Sequence, residues 1–187
     1  MAGTGVWAVR SLTVAKPPVE EAMVAPEERL MQWLRDAHAM EEQAERMLSG
    51  TAQRLRAWPE IRLRLVKHLE ETRRQSIAIQ GCIERRGGRV SIVKDLFART
   101  TGLAQALSAH LVGDEVVKGL LAVYTFEQME IASYTILRVA AERVGDSETM
   151  AVCDSIIAEE RAMAAWAQEQ LEPTTRQYLS QAPSWAA

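Results

Sequence analysis

Tyr124-Thr125-Phe126-Glu127-Gln128-Met129-Glu130-Ile131-Ala132-Ser133-Tyr134 sets two carboxylates three residues apart in the middle of a long helical pattern, on or beside the stripe that faces a core. An ionised carboxylate costs several kcal/mol to bury without a partner. The pair therefore implies a cation, a shared proton or an arginine. Of these, a metal most changes what the protein does.

The pattern around that stretch starts near Asp114, a residue suited to a helix N-cap, and runs to about Val144. Gly145-Asp146-Ser147 is a tight turn, so the next helix is an antiparallel neighbour. That helix carries Val152, Ile156, Met163 and Ala167 inward with Glu159 and Glu160 between them, and Pro173 is expected to stop it. On the N-terminal side, a first helix should begin at Pro26 with Glu27 and Glu28 in its first turn. Its stripe reads Leu30, Leu34, Ala37, Glu41, Ala44 and Leu48, so a carboxylate stands where a bundle seam asks for leucine.

Trp58-Pro59 ends this helix, and a second one is expected from about 59 to 86. Its apolar face reads Leu65, Leu69, Thr72, Ser76, Ile79 and Ile83, widened by Val66 and Ile77; Glu70 and Arg73 lie at its edge and Glu71 points further away. Gly87-Gly88 follows, then a connection with a helical pattern of its own around Leu96, Leu103, Ala106, Leu107 and Leu111.

Four long helices with a long connection between the second and third define an all-α, ferritin-like antiparallel bundle with a helical crossover. Residues 1–25, with Pro17 and Pro18 and no sustained period, read as a mobile or partner-ordered arm. Residues 26–172 read as the bundle and 173–187 as a tail.

Composition agrees, with 48% hydrophobic and 5% aromatic residues in 187. A formal charge of −3 gives no general attraction to nucleic acid or an anionic membrane, and no apolar run approaches a membrane span. Without a basic-then-apolar leader, and with Cys82 and Cys153 lying singly within helices, a cytoplasmic location is expected. Nothing resembles a Ser-His-Asp set, a phosphate-binding glycine loop or a zinc-cysteine cluster.

A dinuclear centre in such bundles takes one Glu from each of two helices and a Glu-x-x-His from each of the other two. Glu41, Glu70, the Glu127 and Glu130 pair, and Glu160 offer a carboxylate from every helix. At 1.5 Å per residue, Glu41 and Glu70 lie roughly 20 and 24 Å from the outer ends of their helices, and Glu127 and Glu160 roughly 27 and 23 Å from their shared turn. Those depths meet near one midplane.

The segments Asp36 to Gln43, His68-Leu69-Glu70-Glu71-Thr72, Phe126 to Tyr134 and Glu159-Glu160-Arg161-Ala162 resemble the YciF-like family of ferritin-like bacterial stress-associated proteins. The likeness spans roughly 28 to 172. It implies a homodimeric bundle with a crossover and a dinuclear metal site; if that site is an active oxidoreductase centre, it holds iron or manganese with Glu127 or Glu130 bridging and Glu41, Glu70 and Glu160 terminal.

Residue by residue, the sequence departs from a ferritin-like ligand pattern. Three residues after Glu70 stands Arg73, and three after Glu160 stands Met163, so both expected imidazoles are missing. Arg73 stays protonated and pairs with carboxylates instead of ligating. His38, three residues before Glu41, offers a replacement imidazole but reads first as a partly exposed residue; His68 and His110 read as structural. Tyr124 and Tyr134 read as core residues with satisfied hydroxyls, or as redox groups beside a metal.

Three functions follow from these features. The first is a non-enzymatic stress-associated protein with an incomplete di-metal site. The second is a di-iron or iron-manganese oxidoreductase or peroxide scavenger using the five glutamates. In the third, the N-terminal arm anchors Trp7, Val9 and Leu12 in a protein partner.

Overall fold

The computed structural model describes residues 24–90 and 114–181. Four α-helices and no strand occur among them: α1 (Pro26–Arg54), α2 (Pro59–Arg85), α3 (Glu115–Arg143) and α4 (Ser147–Gln181). The expected arm over 1–25, apart from its last two residues, and the crossover pattern with His110 lie outside the described residues.

Every helix carries a four-three repeat of buried positions. Buried positions are Leu30, Leu34, Ala37, Glu41, Ala44 and Leu48 on α1, and Ile61, Leu65, His68, Thr72, Gln75, Ile79 and Cys82 on α2. On α3 they are Val116, Leu120, Val123, Glu127, Glu130, Tyr134, Leu137 and Ala141, and on α4 Thr149, Cys153, Ile156, Glu160, Met163 and Ala167. This is the seam of a left-handed bundle, in which four inward stripes meet on one axis.

α1 pairs with α2, α3 with α4, α1 with α3 and α2 with α4, and the contacts fix their directions. Tyr134 meets Glu41 while Gly119 lies against Thr51, so α1 and α3 are antiparallel. A Cβ on Gly119 would sit 3.2 Å from Thr51 Cγ2, a tight contact that marks how closely α1 and α3 approach here. Arg64 stacks over Trp166 at one end of α2 and Arg85 reaches Thr149 at the other, so α2 and α4 are also antiparallel. With all adjacent pairs antiparallel, α2 and α3 are parallel diagonals. α2 therefore ends at one end of the bundle and α3 begins at the other.

The α3–α4 turn is built by Gly145, whose φ of 73° suits a residue without a Cβ. Its N–H donates to Glu142 O and the next N–H, of Asp146, donates to Ala141 O, which closes α3 as a Schellman motif. Asp146 then caps α4: its Oδ1 accepts the Thr149 N–H at 3.0 Å, and Arg85 and Arg86 from α2 bind the same carboxylate at 3.2 and 2.9 Å. Burial alone would raise its pKa, but Thr149 and the two arginines outweigh that and hold it near about 2. A pKa depressed by folding contributes stability that is present above about 4 and lost as pH falls through the folded value. Asp146→Ala is expected to cost about 1–2 kcal/mol in urea unfolding at pH 7, with the gap closing near pH 2. An equal gap at both pH values would show that the carboxylate charge contributes nothing.

Two expectations about element positions are corrected. Pro173 does not end α4, which continues to Gln181. Thr174 is buried, and Leu171 and Tyr178 pack on the core, which offsets the hydrogen bond that proline cannot make. The inward face of α2 is widened on a side other than the expected one. Leu65, Leu69, Thr72, Ile79 and Ile83 are buried as expected, but Ile77 is 69% exposed, and His68 and Gln75 extend the face instead.

Candidate metal centre

Two apolar clusters occupy the ends of the bundle. One contains Leu30, Leu34, Ile79, Ile83, Leu137 and Ile156; the other contains Leu48, Leu65, Leu120, Val123, Met163 and Ala167. Between them lies a polar layer of Glu41, His68, Thr72, Gln75, Glu127, Glu130 and Glu160, each at most 3% exposed. Hydrocarbon above and below keeps bulk water from screening these charges, so each interaction within the layer is strong.

His68 is the hub. Its Nε2 lies 3.1 Å from Glu127 Oε2 and 3.2 Å from Glu160 Oε2, and its Nδ1 lies 2.8 Å from Glu71 Oε2. Glu71 is held in turn by Arg64 at 3.2 Å and Lys67 at 3.7 Å. Gln75 Nε2 donates to Glu160 Oε1 at 2.5 Å and to Glu159 Oε2 at 2.8 Å, so Glu160 and not Glu159 is the central carboxylate. The Tyr134 hydroxyl, itself fully buried, donates to Glu41 Oε1.

The structure brings Glu41, Glu127, Glu130 and Glu160 into this layer but not Glu70. The Glu70 side chain is 56% exposed and accepts from Arg73 at 2.6 Å, and Arg73 also donates to Glu45 at 2.9 Å. Residue 70 lies about 200° around the helix from His68, so when 68 faces inward 70 faces out. Arg73 therefore lends no charge to the centre. Glu71, expected to point away, hooks back onto the imidazole. His38 turns aside, with Nε2 at 3.4 Å from Ser76 Oγ and Nδ1 at 4.0 Å from Glu42.

His68, read from sequence as structural, places an imidazole in the layer beside the carboxylates. Its signal was a second four-three stripe: Ile61, Leu65, His68, Thr72, Gln75 and Ile79 keep that spacing as regularly as Leu65, Leu69, Thr72, Ser76 and Ile79 do.

The layer holds more acceptors than donors. Glu41 Oε2, Glu127 Oε1 and Glu130 Oε1 are buried with no hydrogen-bond partner, and Glu160 Oε2 has only the imidazole. Burial, opposed by Tyr134, pushes Glu41 up to about 8. Burial and then neighbouring carboxylates hold Glu127 and Glu130 well above the usual range. Glu160 moves the other way, because Glu127, His68 and Gln75 outweigh its burial. His68 is likewise raised, since Glu160 and Glu71 outweigh burial and favour the imidazolium.

Donor chemistry and charge both fit a metal. One ligand atom each from His68, Glu127 and Glu160 lie within 4.8 Å of one another, so the group could hold an ion. Glu71 on Nδ1 fixes the tautomer that leaves Nε2 facing the carboxylates, the usual support for a metal-bound histidine. Without metal, the upward shifts of Glu41, Glu127, Glu130 and His68 favour protons that offset the layer's negative charge, the part divalent ions would play.

An all-α bundle with a crossover between parallel diagonals and a carboxylate–imidazole layer at mid-depth defines the ferritin-like class. Within it, the family described as Domain of unknown function (DUF892) matches residues 25–180. The chain belongs to this YciF-like family. A crystal structure of a protein from Xanthomonas campestris pv. campestris is 37% identical, with a TM-score of 0.71 over 83% of this chain and 96% of that one. The Escherichia coli stress protein YciF is 22% identical, with a TM-score of 0.70 over 86% of this chain and 100% of that one. YcfI from Rhodopseudomonas palustris is 19% identical, with a TM-score of 0.66 over 80% and 96%. The last two likenesses bear on fold alone. Among the described residues, no helix is long and apolar enough to cross a membrane.

Proposed function

We propose that this chain is a non-enzymatic, stress-associated cation-holding protein, whose core takes iron or manganese at an atypical site of His68, Glu41, Glu127, Glu130 and Glu160. The observation that carries the reading is the set of buried carboxylate oxygens without donors, one each on Glu41, Glu127 and Glu130, beside an imidazole already oriented by a second carboxylate. Carboxylate-rich sites with a single imidazole suit iron and manganese better than softer metals. Met163, buried where α4 would supply a second imidazole, makes the site asymmetric and favours holding over turnover. Elemental analysis after aerobic supplementation with each metal is the direct test. Close to two equivalents support the reading, and less than about a tenth of an equivalent of either metal rejects it.

A second reading is oxidoreductase or peroxide-scavenging activity, favoured by the Tyr134 hydroxyl bound to Glu41 inside the layer. A bound redox metal would supply electron transfer there; the chain's own part is to exclude water and to hold a proton at the Tyr134 oxygen. Peroxide consumption by iron-supplemented protein that disappears in Tyr134→Phe would favour this reading over simple holding.

The orientation of His68 yields another expected result. Glu71→Gln keeps the shape but weakens the acceptor on Nδ1, and loss of such support costs roughly 10–100-fold in metal affinity. Competition with a chromophoric chelator reads that change. Unchanged affinity with intact helicity would mean that the imidazole is not a ligand.

A further inference from the structure

We propose that Glu159 and Gln75 form a loading position for a hard divalent cation on the α2–α4 side of the bundle, from which Glu160 passes the ion inward. This route presupposes a core that holds iron or manganese, and it assigns the way in. Gln75 Nε2 stands between two carboxylates of α4, 2.8 Å from Glu159 Oε2 and 2.5 Å from Glu160 Oε1. Two carboxylate oxygens aimed at one point repel each other unless a positive group lies there. The amide NH2, with only a partial charge, fills that place as a weak substitute for a cation.

The other end of the same amide is unspent. Gln75 is 3% exposed, and its Oε1 is buried without a donor. The last torsion of a glutamine is broad and two-fold, so a half-turn exchanges Nε2 for Oε1. Here that half-turn breaks no bond made by Oε1. It aims Oε1 at the two carboxylates, which is favourable only when a cation replaces the lost donor. Glu159, Glu160 and the turned amide then present three oxygens and no imidazole, a donor set suited to manganese(II) and other hard ions.

The two oxygens of Glu160 face different neighbours. Oε1 is on the Gln75 side, and Oε2 lies 3.2 Å from His68 Nε2, in the group completed by Glu127. One carboxylate thus borders both the loading position and the inner centre. Glu159, the residue before it, is half-buried and keeps contact with solvent. Among the described residues it makes no ion pair, and its hydrogen bond is the one to Gln75. Other carboxylates around the layer are already neutralised: Glu71 by Arg64 and Lys67, and Glu70 and Glu45 by Arg73. Glu159 retains a charge with which to draw a cation from water.

Manganese(II) uptake by the chelator-stripped full chain tests this route, followed as loss of the free-ion electron paramagnetic resonance signal after rapid mixing. The wild-type rate should saturate as manganese concentration rises, the mark of a position filled before the core. Glu159→Gln, a half-buried change that keeps the shape, is expected to slow uptake by roughly 10-fold at low manganese while reaching the wild-type stoichiometry. Gln75→Leu should slow it as well, in protein of unchanged helicity. Glu169→Gln removes an exposed charge about 15 Å along the same helix and should leave the rate unaltered. Normal wild-type uptake with an undiminished rate in Glu159→Gln, or equal slowing by Glu169→Gln, overturns the route and leaves the metal centre standing. No uptake by the wild type at equilibrium overturns both.

Discussion

Glu130→Leu is expected to raise the stability of the metal-free protein by about 1–3 kcal/mol, while Glu160→Leu, one seam away, lowers it by about 3–5 kcal/mol. The two carboxylates share a layer and a burial but not a charge state. Glu130 has an oxygen without a donor and is pushed up by burial and by Glu41, Glu127 and Glu160 around it. Leucine of similar volume there removes an unsatisfied acceptor and joins the apolar clusters above and below. Glu160 is the anion that balances His68 and accepts from Gln75 at 2.5 Å. Removing it leaves a buried imidazolium and an amide short of acceptors. Chemical denaturation after chelation measures both variants, and metal analysis should show impaired loading in each. Equal destabilisation by the two leucines would mean that Glu130 is ionised and paired in the metal-free core.

How far this layer could be read in advance depended on the helix. On α1 the seam positions are so apolar that Glu41 stands out as an interruption, and on α3 the Glu127 and Glu130 spacing carries its own signal. Both sit where the repeat places them. On α2 the repeat is ambiguous, because Leu65 fits two stripes: one through Leu69, Thr72 and Ser76, the other through His68, Thr72 and Gln75. Hydrophobicity favoured the first. His68 and Gln75 join Leu69, Thr72, Ile79 and Ile83 in the interior because they find partners on α3 and α4 that no single-helix pattern contains. That wider face leaves Glu70 and Arg73 at the surface and brings Glu71 in, so an imidazole stands three residues before a glutamate and not three after one. Pro173 was misread for a related reason, since only the burial of Thr174 and the packing of Leu171 and Tyr178 on the core reveal what carries α4 past it.

The stability of the metal-free protein is expected to fall as pH rises from about 5 to 8, whereas the metal-loaded protein should hold steady over the same interval. Glu41, Glu127, Glu130 and His68 all bind protons more tightly in the folded core than in the unfolded chain. A pKa raised by folding gives stability that is complete below the unfolded value and lost as pH climbs through the folded one. All four groups therefore have the same sign, opposite to that of Asp146. Each contributes about 1.4 kcal/mol per pH unit while the folded state keeps a proton that the unfolded chain has released. Glu41 alone, ordinarily at 4.5 and here up to about 8, spans most of that interval. A few kcal/mol is a large share of the ~5–15 kcal/mol that holds a domain together, so chelated protein should melt roughly 5–10 °C lower at pH 8 than at pH 6. Divalent ions take the place of those protons. Calorimetric titration in buffers of different ionisation enthalpy should thus show between two and four protons released per two ions near neutral pH. A melting temperature that rises from pH 6 to 8 in the chelated protein, or metal uptake without proton release, would mean that Glu41, Glu127, Glu130 and His68 reach water and that the layer is not the buried, proton-holding core described above.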